Sequence, residues 1–132
     1  MGARFWIFLA AVLGGLAVVA GAIGAHGLPE ATTADARRIF QTAQQYHALH
    51  ALALLGAGIV MLQSEGWRAR FATWFFQIAA IAFLTGIVCF CGGIYAQVAG
   101  GLSSIGKIVP AGGIAFMVGW AAFAIGALGL RS

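Results

Sequence analysis

At 132 residues the chain is short enough for one domain, and 62% hydrophobic against 8% charged residues takes it far outside soluble usage. Its net charge of +4 comes from seven basic and three acidic side chains that lie between or beyond the apolar runs, where they meet anionic headgroups. No basic cluster stands out, so a nucleic-acid partner is excluded and the lipid bilayer is the expected surroundings.

Phe5 to Ala25 is an apolar run of 21 residues, longer than a cleavable signal core and right for a hydrocarbon layer of about 30 Å. We read it as a retained first span. Ile7, Ala10, Gly14, Ala17, Gly21 and Gly24 recur every three or four residues along it, a seam that lets another helix approach closely. Gly27 and Pro29 then end the helix after His26.

Thr33 is an N-cap with Asp35 in the first turn, and Ala36, Phe40 and Ala43 share one face while Arg37, Arg38, Gln41 and Gln44 lie elsewhere. This pattern predicts a short amphipathic interfacial helix over 33–45. It can run on, kinked or straight, into the second span over 46–62, because no proline or glycine interrupts before Gly56. Gln63, Ser64, Glu65 and Gly66 form a tight connection, and Trp67, Arg68 and Arg70 mark the opposite interface.

The third span, 71–98, exceeds a perpendicular crossing and has Ala82, Gly86, Cys89 and Gly93 as its small face. Cys89 and Cys91 stand about 200° apart on a helix, so they form neither an intrachain disulfide nor a metal-binding pair. Gly100 to Ser104 breaks the pattern, Lys107 marks the interface, and Pro110 suits the first turn of a fourth span over 111–130. There Gly112, Ala115, Gly119, Ala122, Gly126 and Gly129 give the clearest packing signal in the chain.

The fold expected is therefore an all-α integral membrane protein, four transmembrane helices in one compact bundle, with Gly14, Gly21, Gly86, Gly93, Gly112, Gly119 and Gly126 at helix contacts. Four crossings put both termini on one side. Arg4, Arg68, Arg70 and Arg131 share that side against Arg37, Arg38 and Lys107, a four-to-three balance that favours cytoplasmic termini.

His26, His47 and His50 are the chain's histidines, and connectivity brings all three to the membrane face opposite the termini. His47 and His50 project from one face of the second span, and Tyr46 points about 100° from His47. These four residues are the candidate polar cluster. Imidazoles suit zinc, copper, iron or haem, so His26, His47 and His50 are also the candidate metal ligands; the blander reading is hydrogen bonding to helix-end carbonyls or phosphates. Gln77, Thr85, Cys91 and Tyr95 are the polar groups of the third span, expected to bond the preceding turn or a neighbouring helix.

No acidic residue lies within a span, which removes the usual general acid or base and a carboxylate-driven transport site. Enzymatic activity is not expected. Three functions compete. A structural or accessory protein needs no cofactor and packs against itself, as a homo-oligomer, or against a larger membrane complex. A metal-, haem- or quinone-binding protein would use the histidines. A small channel or transporter lacks a continuous polar stripe.

Gly21 Ala22 Ile23 Gly24 Ala25 His26 Gly27 Leu28, then Phe40 Gln41 Thr42 Ala43, Gln45 Tyr46 His47 and His50 Ala51 Leu52 Ala53 Leu54, closely resemble the YgdD family of small membrane proteins, domain of unknown function 423, with mitochondrial relatives called transmembrane protein 256. Phe90 Cys91 Gly92 Gly93 Ile94 Tyr95 and Pro110 Ala111 Gly112 Gly113 with Gly119 Trp120 resemble its later motifs. The chain departs from the family at Ile23, where phenylalanine is usual, at Cys91 and Gly93, where serines are usual, and at Val109, where threonine is common. Cysteine at 91 keeps the size of serine but weakens its hydrogen bonding. The resemblance covers nearly the whole chain and implies inner-membrane residence in bacteria and four helices. It implies no biochemical activity.

Overall fold

The computed structural model describes residues 1–64 and 67–130, and the protein is all-helical over them. Helix α1 (Ala3–Ala22) continues through a π turn, Ile23–Gly27, before the chain leaves it at Leu28. Helix α2 (Ala34–Gln63) follows a six-residue connection, and α3 (Trp67–Gly86) runs through a second π turn, Ile87–Cys91, into α4 (Gly92–Val98). A 3₁₀ turn, Ser103–Ile108, leads into α5 (Val109–Leu128), with Pro110 in its first turn. Four helices are long and apolar enough to cross a membrane, counting the α1, α3–α4 and α5 rods with their π and 3₁₀ turns as one each.

The interfacial helix does not exist as a separate element. Thr33 caps α2 as expected, accepting from the Ala36 N–H at 3.2 Å, and the helix then runs unbroken for 30 residues. At 1.5 Å per residue that is about 45 Å, roughly 15 Å more than a hydrocarbon core needs. The excess belongs to the polar end, where Arg38 pairs with Asp35 at 3.0 Å and Arg37 donates to the carbonyls of Pro29 and Thr32. Phe40, on this projecting part, is still buried, against Gly24 of α1 and the ring of Tyr95, 4.8 Å away. Glu65, Gly66, Arg131 and the side chains of Trp67 and Arg68, expected to mark the other interface, lie outside the described residues.

Lipid tails are as apolar as leucine, so the helices gain by fitting together rather than by leaving water. The fit is clearest between α3 and α5. Gly112, Gly119 and Gly126 meet the Phe90 main chain, the Phe83 ring and the Phe75–Phe76 pair, and Phe116 of α5 in turn lies over Gly86. Steps of seven on one helix answer steps of seven on the other, which makes the pair antiparallel with phenylalanines seated in glycine notches. Gly93 of α4 faces Val109 in the same register. Between α1 and α2, Gly58 lies against Trp6 and Ile7, and Gly21 against Gln44. Gly14 is the exception among the expected contact glycines: nothing comes within 4 Å of a Cβ there, because it faces out of the seam that buried Leu13 and Ala17 make with α2.

Helices α2 and α3 form the centre, with α1 against α2 and α5 against α3. Outer residues such as Phe8, Leu16 and Val18 of α1 and Ile114, Met117 and Leu128 of α5 stay exposed, as lipid-facing side chains should. Polar groups tie the termini-side end: the Trp6 indole N–H donates to Gln77 Oε1 at 2.8 Å, and the Gln77 amide donates to the Met1 carbonyl.

The two glycine classes predict opposite outcomes. A side chain at Gly119 would put its Cβ 2.6 Å from the Phe83 ring, so Gly119→Leu should cost at least about 1–3 kcal/mol, the usual penalty for overpacking. Gly14→Ala meets nothing and should stay within about 0.5 kcal/mol of the parent. Thermal unfolding of both variants in detergent checks the pair.

Candidate functional site

The histidines of α2 are buried, His47 to 5% and His50 to 2% exposure. Although three apart on one helix, they serve different neighbours. A 60° difference in direction is enough to aim one ring at α4 and the other at α5.

His50 is held at both ring nitrogens and on one ring face. Its Nδ1 lies 2.7 Å from the Tyr46 carbonyl one turn earlier, and the Trp120 indole N–H of α5 donates to Nε2 at 3.1 Å. A carbonyl only accepts and an indole only donates, so the proton sits on Nδ1 and the ring is neutral. The imidazole also stacks on Phe116, with centroids 3.6 Å apart and planes 16° from parallel. The Tyr46 ring lies 5.7 Å from the imidazole and also meets Phe90 and Phe116, at 5.2 and 6.0 Å. Tyr46 thus enters the site through its carbonyl and ring.

His47 reaches the other way, its Nδ1 3.2 Å from the Tyr95 hydroxyl. Its Nε2 is enclosed and has no hydrogen-bond partner, although the Leu13 main chain of α1 runs alongside. One α2 turn earlier, the Gln44 amide donates to the Ala17 carbonyl of α1 at 3.2 Å. Gln44, His47 and His50 therefore fasten α2 to α1, α4 and α5 in turn.

His26 stands apart from this arrangement. It lies exposed on the π turn that ends α1, and no side-chain hydrogen bond joins it to Tyr46, His47 or His50 among the described residues. The expected four-residue cluster is thereby reduced to three residues of α2 and their partners on other helices. Among the described residues no three His, Cys, Asp or Glu side chains stand together to hold a metal ion, so the candidate set His26, His47 and His50 is not assembled. Cys91 is buried and free, Cys89 is half-buried, and they face different surroundings as the helical spacing implies. Thr85 bonds the carbonyl one turn back, at Ile81.

Tyr95 and Trp120 are the site residues that sequence alone did not link to the histidines. Each donates or accepts through its ring's polar atom from a half-buried or exposed position, Trp120 being 44% exposed, and each sits inside a motif that also carries packing glycines. The π turn over Ile87–Cys91 changes the helical phase just before Tyr95, which spacing counted on a regular helix does not capture.

The His50–Trp120 bond should be measurable as a coupling. His50→Phe keeps the stack on Phe116 and strands the indole N–H, which costs about 1–3 kcal/mol when buried. Trp120→Phe on that background should cost much less than it does alone in a double-mutant cycle. Nitrogen-15 NMR of the imidazole should show the Nδ1-protonated tautomer; the Nε2-protonated form would contradict the bond.

A family model described as "Protein of unknown function (DUF423)" matches residues 20–113, the stretch that carries all three histidines, Tyr95 and both π turns. Among curated proteins, the UPF0382 inner membrane protein YgdD of Escherichia coli K12 is 33% identical over 131 residues, covering 99% of this chain and 95% of its own. The UPF0382 membrane protein SSP2132 of Staphylococcus saprophyticus is 34% identical over 123 residues, and the UPF0382 membrane protein YwdK of Bacillus subtilis 31% identical over 133, each covering at least 93% of both chains. No solved structure matches.

Proposed function

We propose, from the premise that the chain belongs to the DUF423 family and is an integral inner-membrane protein like its relatives, that it is a non-enzymatic structural or accessory component of that membrane. The observation that carries this reading is the saturation of His50. Both ring nitrogens are engaged by the chain and one ring face is stacked, so the most buried imidazole has no lone pair left for a metal or a haem iron. A ligand there would first have to displace Trp120.

The glycine-rich faces support the same class in an altered form. Sequence offers them to a partner, but Phe83, Phe90 and Phe116 occupy them within the chain. An accessory role then falls to the outer faces of α1 and α5, which carry the exposed apolar side chains.

A second reading has one observation behind it. His47 Nε2 is enclosed without a partner, and an unpaired imidazole nitrogen in hydrocarbon is costly. That nitrogen suits a small polar ligand or a proton, with Tyr95 as the neighbouring hydroxyl.

Purification from native membranes in mild detergent separates the readings. The accessory role predicts a protein without visible absorbance and with no stoichiometric metal, co-migrating with other membrane subunits or as a homo-oligomer. Stoichiometric metal or a chromophore lost in His47→Ala would instead establish the second.

A further inference from the structure

We infer that the groove beside Gly14, along the outer edge of the α1–α2 seam, binds one tail of an anionic phospholipid, with Arg37 at its headgroup end. The groove has a volume of about 280 Å³; Ala10, Gly14 and Val18 line its α1 wall, and Gln44, Ala48 and Leu55 its α2 wall. It is a property of this chain's surface, independent of whether the protein has an accessory role.

Three observations point to a lipid rather than to another helix. The first is length. From Gln44 to Leu55 is eleven helical steps, about 16 Å, which matches half of a hydrocarbon core of about 30 Å. A tail reaches from headgroup to midplane over that distance, whereas a spanning helix would need a seam across both leaflets. At the termini-side half the α1–α2 seam is shut, with Gly58 closed over by Ile7 and Trp6.

The second is charge. Residues 37, 41, 44, 48, 52 and 55 follow one another at spacings of three and four, so Gln41 and Arg37 lie on the groove face of α2, one and two turns beyond Gln44 respectively. Arg38 is paired with Asp35, but no carboxylate pairs with Arg37 among the described residues. Its Nε donates to the Thr32 carbonyl and its Nη2 to the Pro29 carbonyl, which fixes its position with no described carboxylate within 4 Å. A phosphate diester supplies the missing anion.

The third is access. On the α1 side Ala22 and Ala25 are both small and exposed, so the α1 wall rises to headgroup level without a bulky side chain, past the Gln44 bridge to the Ala17 carbonyl.

Native mass spectrometry of the detergent-purified protein, with phosphatidylglycerol or phosphatidylcholine added, tests the inference. One phosphatidylglycerol should be retained per chain, with a preference over phosphatidylcholine of about fivefold, the factor one basic side chain contributes at an anionic surface. Gly14→Leu should abolish retention of both lipids. A Cβ there meets nothing within 4 Å, and an unchanged thermal midpoint of Gly14→Leu, or loss of retention in the smaller Gly14→Val, separates a filled groove from a damaged fold. Arg37→Gln should erase the preference but retain weak binding, and Arg37→Lys should restore it. Equal retention of the two lipids by the parent protein, or undiminished binding by Gly14→Leu, would overturn the inference. So would efficient disulfide dimerisation of Gly14→Cys, which would assign the groove to a second copy.

Discussion

In a bilayer the cost of an unsatisfied polar group is high and the reward for hiding an apolar one is nearly absent, so a membrane bundle depends on shape. Here shape is supplied by phenylalanine against glycine along α3 and α5. The notch at Gly112 receives main chain, the one at Gly119 receives a ring, and Phe116 answers from the opposite helix. A dispersion contact is individually small, but an aromatic side chain makes dozens of them where backbones nearly touch. The pairing also fixes where Trp120 stands, one residue beyond Gly119, and so fixes the donor that reaches His50.

The buried polar residues take the complementary part. Shape alone permits a helix to slide or rotate within a greasy contact, because one methyl group resembles the next. A hydrogen bond inside hydrocarbon does not tolerate such slippage, since its loss strands two polar atoms. Gln44, His47 and His50 each bond a different helix, and Gln77 accepts from Trp6 of α1 and donates to the Met1 carbonyl just before it. Their contribution is less to net stability than to the choice of one packing among many similar ones.

The four crossings, the all-α fold and most of the close contacts were legible in the sequence because composition and glycine spacing report them directly. Gly86, Gly93, Gly112, Gly119 and Gly126 lie where spacing places them. Gly14 belongs to the same pattern and faces open space, since periodicity identifies a face without saying whether anything occupies it. The continuity of α2 was legible only as an option, because an uninterrupted run lacks a signal for either a kink or its absence. His26 was misplaced by connectivity: sharing a membrane face with His47 says nothing about sharing an interior, and the π turn carries it outward. Tyr95 and Trp120 depend on helix rotation and on the phase shift at Ile87–Cys91, neither of which a single chain's periodicity contains.

Helix α2 joins a polar first segment to an apolar span without a break, and two of its imidazoles, about 60° apart in direction, bond different neighbours. Turning the rod about its axis in either direction would break one grip while pressing on the other. Translation along the axis would misalign both. The rod is therefore braced like a mast between stays, its rotation opposed where His47 meets Tyr95 and His50 meets Trp120.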